Sequence, residues 1–400
     1  MNHKIALCLS GFLFISSLCQ ARDFDRIKEK TITENIPYST STLTGMIDSI
    51  VEKRLSEKKI SETNEKPDFS FLPMGRIFFD GGLFFPAKDG FKDGVTIPDI
   101  RLGGAFKYKK FTANIMIGYG MGTLSAKDIF LNYKVDSKNS LRLGYFIHQY
   151  GLNAAYFSSL KATMHNPISD SFFKTTGFNL GLRYEYDYKD AFIAASVFTS
   201  PSGLKMTPAQ RGKMNIGMME RAVWRPLHSS GKIAQIGLSA WYETAEHSVQ
   251  TSDDGRPTTS TGYFNYSANF PTMVNNVTLL KANVTNAKGV VKLSPELLLS
   301  KGRLALESQY FYMNVARENG FNNYRAHGVY GILRGLILGD HEYGYSNSNG
   351  GLALPSPKSL ECVLGFDYTN ASDHKAGILG GISNDYSLTL NYYLNKYIVC

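Results

Sequence analysis

Basic side chains that could bind or steer an anion recur along this 400-residue sequence. Arginine keeps its charge at every working pH and offers planar donors to phosphate-like oxygens, so it suits an anion-conducting path. For each residue the alternative is that its charge is simply neutralised by a nearby carboxylate on the wall of a water-filled interior. Arg183, which stands two residues before Glu185, is equally compatible with that alternative. The candidates for lining such a path are Arg76, Arg101, Arg142, His148, Lys161, Lys174, Arg183, Arg221 and Arg303.

Other patterns that resemble catalytic or metal-binding motifs are better explained without such chemistry. Ser158 and Lys161 match a Ser-x-x-Lys pattern, but the companion motifs are absent. The glycine-rich stretch 118–122 ends a strand-like pattern and opens no helix, which indicates a turn rather than a phosphate cradle. The histidines are scattered, with no pair at metal-ligand spacing. The sequence therefore predicts neither an enzyme nor a metal or cofactor site.

The elements that must position the basic side chains are predicted to be β-strands. From Met74 onward, apolar residues recur at every second position, as in Leu180 and Leu182, which alternate with Asn179, Gly181 and Arg183. Each such segment has about the ten residues that a tilted strand needs to cross a bilayer, with aromatic residues towards its ends. The four clearest segments are 178–186, 234–243, 303–312 and 386–392.

Connection lengths indicate how these strands are arranged. Short polar links alternate with longer segments, and short turns on one side with long loops on the other are typical of outer-membrane barrels. The linker 339–357 breaks the alternation, because it should be short yet is long and rich in Gly, Asn, Ser and Pro. About fourteen strands are predicted, at 74–85, 98–108, 110–119, 126–135, 140–149, 177–187, 191–199, 214–225, 232–244, 290–300, 303–316, 325–338, 358–370 and 383–394.

The N-terminal region predicts export from the cytoplasm. Lys4 precedes an apolar stretch that ends in small residues, so residues 1–21 are expected to be a signal peptide cleaved after Ala21. Residues 22–67 are expected to be a polar periplasmic leader with a short amphipathic helix. That helix is interpreted either as a contact between copies of the chain or as a lone amphipathic turn.

The composition fits a barrel that spans a membrane and excludes some other classes. Tyr and Phe are abundant, at 24 and 25 residues, and no later segment approaches the roughly 20 apolar residues that a membrane helix requires. After cleavage only Cys362 and Cys400 remain, so disulfides are not expected to hold the fold. Loss of Lys4 changes the formal charge from +9 to 9 − 1 = +8, which suits an anion path but equally suits ordinary solubility.

Several stretches, in their order and spacing, resemble the phosphate-selective porin O/P family. Arg221 matches an arginine of that family, whereas Tyr145 and Gly365 stand where members carry polar or basic residues. Near Asp99 only Arg101 stands where members known for phosphate carry closely spaced arginines. The matching stretches are Leu141–Phe146, Tyr150–Leu152, Glu220–His228, Ile236–Leu238, Gly339–Asp340, Ser359–Glu361 and Leu390–Asn395.

The resemblance implies a homotrimer of 16-stranded barrels in the bacterial outer membrane. Two long extracellular loops and one long periplasmic turn of the family fold narrow the pore, and here they would correspond to 150–176, 245–289 and 339–357. Lys161 and Lys174 would then lie in a constriction loop. About fourteen strands and a stub of another are present, so the barrel at 68–400 is expected to be C-terminally truncated relative to the family plan.

The fold is therefore predicted to be all-β, a transmembrane antiparallel β-barrel. The predicted function is an outer-membrane porin for passive ion and solute transport, with a possible preference for anions such as phosphate. The expected partners are outer-membrane lipid, small anionic or neutral solutes and two further copies of the chain, with no nucleic acid. The alternative is a non-conducting barrel that acts as an adhesin or a structural protein through its 245–289 loop.

Overall fold

A computed structural model describes residues 69–85, 90–156, 160–174, 177–199, 215–251, 257–346 and 350–400. The predicted signal peptide at 1–21 and the predicted polar leader at 22–67 lie outside the described residues. None of the helices in the described part of the chain is long and apolar enough to span a membrane.

One antiparallel sheet of 15 strands dominates the structure, and its strands follow one another in chain order. The strands pair with their neighbours along the sequence because most connections are too short for any other partner. The strands of this sheet are β1 (Phe69–Ile77), β4 (Ile100–Tyr108), β5 (Phe111–Gly120), β6 (Thr123–Lys134), β7 (Asn139–Ile147), β8 (Phe178–Tyr188), β9 (Ala191–Thr199), β10 (Ile216–Ser229), β11 (Lys232–Thr244), β15 (Ala287–Lys301), β16 (Leu304–Arg317), β17 (Tyr324–Leu338), β20 (Ser359–Asp373), β21 (Ile378–Asn395) and β22 (Ile398–Val399).

Smaller elements lie within the longer connections. Two short helices, α1 (Leu152–Ala155) and α2 (Ile168–Phe173), stand between β7 and β8. The remaining strands form one three-stranded and two two-stranded sheets, and they are β2 (Asp80–Gly82), β3 (Gly94–Thr96), β12 (Glu246–Thr251), β13 (Pro257–Asn269), β14 (Thr278–Thr285), β18 (Tyr345–Ser346) and β19 (Gly351–Leu352).

The prediction of about fourteen strands and a stub is confirmed. Each of the fourteen predicted segments overlaps one strand of the large sheet, and β22 is the stub. The first strand was misplaced, because it ends at Ile77 and residues 80–82 pair instead with 94–96 in a separate hairpin. The three-stranded sheet β12–β14 was not predicted, since its strands lie inside what the sequence indicated as a loop.

The alternation of outward and inward side chains is also confirmed. Leu182 on β8 and Leu238 on β11 are 42% and 53% exposed, whereas their neighbours Arg183 and Ser239 are 1% and 0% exposed. Successive side chains of a strand point to opposite faces, so the apolar set faces outward and the polar set faces the interior. The outer face is thus apolar and the interior polar, which is the reverse of a soluble sheet protein and is the pattern of a membrane barrel.

Connection lengths differ between the two ends of the sheet. At one end, here called the short-turn end, two-residue turns such as 109–110 and 189–190 join the strands. At the other, the long-loop end, lie 78–99, 148–177 and 245–286. The predicted segregation therefore holds for these three loops. The long connection 339–358 lies at the short-turn end, as its break in the alternation indicated, and 121–122 at the long-loop end is a tight turn, as the glycine-rich stretch 118–122 indicated.

The two edge strands of the large sheet are β1 and β22. Phe78, directly after β1, packs against Tyr393 of β21 and Val399 of β22. The sheet therefore curls far enough to bring its two edges to the same region of the interior.

Loops and helices fill part of that interior. The largest buried apolar cluster lies between α2, the β12–β14 sheet and the inner faces of β15 to β17, and it includes Phe172, Trp241, Tyr266 and Phe311. The hairpin of β18 and β19 also folds inward, as its contacts with Tyr156 and Gln235 show. An accessible cavity remains on the side of β1, β4 and β6.

Candidate pore site

A cavity of about 330 Å³ lies inside the sheet, between the wall formed by β1, β4 and β6 and the loop that connects β7 to β8. Four cations line it, namely Arg76, Arg101, Lys127 and Lys161. The carboxylates of Asp80 and Asp99 and the ring of His165 also line it, with Asn391 and Tyr393 on the side of β21. The cavity unites three of the predicted residues, Arg76, Arg101 and Lys161.

Asp99 holds the two arginines of this cavity together. Its Oδ2 lies 2.7 Å from Nη2 of Arg76 and 2.8 Å from Nε of Arg101. Arg76 and Arg101 are cross-strand partners on β1 and β4, so their like charges stand side by side on one face. One carboxylate offsets one of the two charges, and the shared hydrogen bonds fix both guanidinium groups in place.

Lys127 enters the cavity because of a β-bulge in β6. The register between β5 and β6 shifts between Ile115 and Ile117, which leaves Lys127 and Asp128 together opposite one residue of β5. A bulge adds one residue and re-aims the side chains around it. Ile129 therefore stays on the outer face while Lys127 lines the cavity, with its Nζ 5.9 Å from the centre of the Phe178 ring.

Lys161 faces these cations from the loop between α1 and α2. Its Nζ donates a hydrogen bond to Oδ1 of Asn166. Burial lowers the pKa of Lys161 from its ordinary value of 10.5 to about 8, and the nearby carboxylate of Asp170 acts in the opposite direction. On the same loop, Nε2 of His165 lies 3.4 Å from Oδ2 of Asp80. The loop thus supplies a lysine whose charge changes near neutral pH.

A second basic group lies on the inner faces of β7 and β8. Arg142 and Arg183 are cross-strand partners. Nη2 of Arg183 lies 2.7 Å from Oε1 of Glu185, whereas Arg142 stacks on the Phe130 ring at 4.2 Å. The predicted residue His148 packs between Phe146 and Phe198, at ring distances of 4.5 and 4.9 Å, so it is buried among aromatic rings rather than presented to a solute: His148 is 0% exposed.

Arg221 forms a fully buried ion pair with Glu296. The guanidinium donates from Nε to Oε2 at 2.9 Å and from Nη2 to Oε1 at 2.6 Å. Gln235 donates to the same carboxylate at 3.1 Å and to the carbonyl of Gly350 at 2.8 Å. The charge of Arg221 is therefore compensated, and the pair holds the inward-folded β18–β19 hairpin against β10, β11 and β15.

Arg303 and Lys174 lie away from the cavity. Arg303 was predicted to open a strand, but it stands in the two-residue turn between β15 and β16, where Nη1 donates to the carbonyl of Ile337 at 3.2 Å. At the short-turn end it therefore joins this turn to the end of β17. Lys174 ends α2 with a left-handed backbone, and its Nζ donates to the carbonyl of Asn265 on β13.

Two inward-folded segments meet next to a cluster of buried carboxylates. The hydroxyl of Tyr156, after α1, donates to Oε2 of Glu307 at 3.0 Å and accepts from the backbone N–H of Leu352 at 3.1 Å. Glu361 accepts from Nε of Arg334 at 2.7 Å and also from tyrosine and asparagine side chains. Each of the two buried carboxylates thus accepts hydrogen bonds from buried donors, as burial demands.

Close backbone approaches permit this interior packing. Gly151 adopts a φ of +85°, and a Cβ at that position would lie 1.8 Å from Nε2 of Gln309. A Cβ on Gly351 would lie 2.3 Å from Cε1 of Tyr156. Larger residues at either position would displace the loop or the hairpin from the wall.

The structure therefore separates the predicted residues into groups. Arg76, Arg101 and Lys161 meet in the cavity, and Arg142 and Arg183 form the adjoining pair. Arg221, His148, Lys174 and Arg303 serve contacts within the protein. Lys127 was missed, because strict alternation through β6 assigns it to the outer face; the bulge has no clear signal in the sequence.

Comparison with known proteins gives one family match. The family model described as phosphate-selective porin O and P matches residues 104–398. Among solved structures, the chain is similar to the loop L8 deletion mutant of OmpT, an outer membrane protein of Vibrio cholerae, at 9% identity, with 81% of this chain and 88% of that chain covered and a TM-score of 0.46. It is also similar to the trimer form of in-vitro folded OmpT from Vibrio cholerae, at 9% identity, with 81% of each chain covered and a TM-score of 0.44. No match was found among curated proteins.

Proposed function

We propose, from the premise that this chain belongs to the phosphate-selective porin O and P family of outer-membrane porins, that it lets small hydrophilic solutes diffuse passively across the bacterial outer membrane. Anions such as phosphate are the preferred solutes in this proposal. In this proposal the protein acts as a pore and not as an enzyme, and it uses no cofactor.

The basic cavity is the observation that carries the proposal. Arg76, Arg101, Lys127 and Lys161 contribute four positive charges against the two carboxylates of Asp80 and Asp99, a net 4 − 2 = +2 at neutral pH. Charge of one sign in a narrow, low-dielectric passage raises the local concentration of counter-ions. Helix α2 and the β18–β19 hairpin occupy part of the interior on the other side, which supports a route for solutes through this cavity.

The cavity combines fixed and adaptable cations. Asp99 holds Arg76 and Arg101 in one orientation, whereas Lys127 and Lys161 carry compact ammonium groups on long aliphatic stems. Conduction requires binding strong enough to attract an anion yet weak enough to release it. The carboxylate of Asp99 limits the strength of anion binding, because it offsets part of the charge of Arg76 and Arg101 where the anion would bind.

Reversal potentials in a potassium chloride gradient test this proposal. The purified protein is inserted in a planar bilayer, and the chloride-to-potassium permeability ratio is compared with that of the Lys127→Gln, Lys161→Gln double variant. The double variant removes both adaptable charges and is expected to lower the ratio several-fold, by about threefold for each charge at a distance of about 6 Å in water. Arg303→Gln is the matched control, because it removes a cation at the short-turn end.

Three outcomes would contradict the proposal. Equal permeability ratios in the wild type and the double variant would remove the cavity from the conduction path. An equal effect of Arg303→Gln would show that total charge matters rather than the cavity. Absence of defined channel steps in the wild type would favour a non-conducting adhesin or structural protein.

A homotrimer is part of the proposal, and an outward-facing carboxylate supports it. Glu220 is exposed on the outer face of β10, between Met218 and Ala222 and directly across from Ala195 and Ala240. It borders a groove of about 500 Å³ on that face. A charged group on a lipid-facing strand is unfavourable, so contact with a second copy of the chain would shield it better than lipid.

Glu220→Leu distinguishes contact between copies from contact with lipid. If the groove is an interface, the substitution weakens the trimer, seen as fewer trimers after chemical cross-linking in mild detergent. If Glu220 faces lipid, the substitution leaves the oligomer unchanged and raises the resistance of the barrel to unfolding. Asn384→Leu, which removes an outward polar side chain on β21, is the matched control.

A further inference from the structure

Helix α2 lies across the inner face of the sheet, and a charged side chain meets it at each end. The helix packs on β16, β17 and β20 and beneath β13. Its N-terminal end contacts Asp367 of β20, and its C-terminal end contacts Lys292 of β15. These two strands are separated by β16 and β17 in the sheet, so the contacts lie on different parts of the wall.

The N-terminal contact is made by a buried carboxylate. Oδ2 of Asp367 accepts from the backbone N–H of Ser169 at 3.0 Å and also from the Ser169 hydroxyl. Oδ1 accepts from Oγ1 of Thr369 at 3.0 Å. The first N–H groups of a helix have no partner within the helix, so Asp367 satisfies a donor that would otherwise be buried unpaired.

The C-terminal contact is made by a buried ammonium. Nζ of Lys292 donates to the carbonyl of Phe173, the last residue of α2, at 3.1 Å. The same Nζ lies 5.3 Å from the Trp241 ring centre and 5.2 Å from the Tyr266 ring centre. Carbonyl and ring faces both attract a cation, so they hold Lys292 in the interior although it is almost fully buried.

The signs of the two charges match the polarity of the helix. A carboxylate is favourable where helix N–H groups point outward, and a cation is favourable where the last carbonyl groups do. Between the ends, a Cβ on Gly328 of β17 would lie 3.0 Å from Cβ of Ser169, and Phe173 stacks on Phe311 with ring centres 5.2 Å apart. The helix is therefore pressed against the wall as well as pinned at its ends.

We propose that Asp367 and Lys292 are positioning residues that clamp α2 to the wall and thereby fix the aperture of the pore. The inference rests on the proposed porin function. Lys161 precedes α2 in the same loop, so the position of α2 determines where Lys161 stands in the basic cavity. Release of either end lets the 160–174 segment move into the passage, which makes conduction noisier and reduces the preference for anions.

Channel recordings of single variants test the clamp. Asp367→Asn and Lys292→Met are expected to increase open-channel current noise and to lower the chloride-to-potassium permeability ratio by about twofold, because Lys161 no longer holds one position. Lys292→Arg keeps a cation at the Phe173 carbonyl and is expected to behave as the wild type. Asp385→Asn is the matched control, since Asp385 is the cross-strand neighbour of Asp367 on β21.

A reversible cross-link separates clamping from a general loss of structure. In a background with the other cysteines replaced by serine, Ser169→Cys and Gly328→Cys place two thiols at a Cβ separation close to the range of about 3.5–4.5 Å that a disulfide requires. When this pair is combined with Asp367→Asn, oxidation is expected to restore quiet channels and wild-type permeability. Reduction of the disulfide is expected to reverse the rescue.

The outcomes distinguish this inference from the proposed function. Wild-type noise and permeability in both Asp367→Asn and Lys292→Met would overturn the clamp while leaving the porin function intact. Slow disulfide formation between positions 169 and 328 in the presence of Asp367 and Lys292 would also overturn it. Rapid disulfide formation that slows in the two clamp variants would support the clamp even if the wild type showed no channel steps, in which case only the porin function fails.

Discussion

The charge of Lys161 should make anion preference depend on pH. Burial lowers the pKa of this lysine to about 8, and the charged groups acting on it are Asp170, Arg76, Glu307 and Arg101. A lysine with a lowered pKa is protonated below that value and becomes neutral as the pH rises through it. The cavity therefore carries 4 − 2 = +2 charges at pH values below about 8 and 3 − 2 = +1 above it.

The size of the effect follows from the charge lost. A unit charge about 6 Å from a passing monovalent anion in water contributes about 0.7 kcal/mol. Because 1.36 kcal/mol corresponds to a factor of ten, loss of that charge lowers the local anion concentration about threefold. The same charge repels potassium by a similar factor, and salt screens both effects, so the permeability ratio is expected to fall by about threefold to tenfold.

Reversal potentials measured between about pH 6 and pH 9.5 give the assay. The chloride-to-potassium permeability ratio of the wild type should fall with a midpoint near pH 8, where Lys161 loses its proton. Lys161→Met should show the lower ratio at every pH, and Lys161→Arg should show the higher ratio throughout, since arginine stays charged.

The variants also determine which result would refute the reasoning. A Lys161→Met protein whose ratio still falls through the same midpoint would assign the titration to another group. A wild-type ratio that stays constant over this range would show that Lys161 is either outside the conduction path or not buried as its surroundings indicate.

Three further predictions concern the fold and the pairs within it. Arg221→Ala should lower the free energy of unfolding by about 3–5 kcal/mol, because Glu296 would be left buried without its partner. Urea unfolding followed by heat-modifiable gel mobility measures this loss, and a double Arg221→Met, Glu296→Leu variant should recover much of it. In cysteine scanning of the assembled protein, a small water-soluble thiol reagent should react at position 127, which lines the cavity, and not at position 129 on the outer face, and the opposite preference would place β6 in the wrong register. Gly151→Ala should reduce conductance or folding yield, because its Cβ would collide with Gln309, whereas a normal channel would show that the loop reaches the lumen by another path.

Much of this architecture follows from the sequence alone, because its cause is local. An alternation such as that of Leu182 with Arg183 sets which side chains face outward as soon as the segment becomes a strand. Short turns such as 189–190 then force consecutive strands to pair with each other. Strand number, inward arginines and the division between short and long connections are therefore readable from the order of residues.

The composition of the site was decided by contacts between distant residues. Arg221 pairs with Glu296, which is 75 positions later in the chain and reaches it from β15, two strands along the sheet. Arg303 lies in a turn because β16 begins at Leu304, one residue later than the sequence predicts. Neither outcome has a sequence signal, because strand boundaries and the contacts between strands that are not consecutive depend on how the whole sheet pairs.

The bulge at Lys127 shows most clearly which features follow from the sequence and which follow from the tertiary structure. The sequence predicted a strand at 126–135, and its alternation assigned Lys127 to the outer face. In the structure, one residue of β5 faces two residues of β6. This pairing directs the Lys127 side chain into the basic cavity beside Arg101. Local pattern fixes the faces of an ideal strand, but a bulge arises from the register of two strands together, and that register belongs to the tertiary structure.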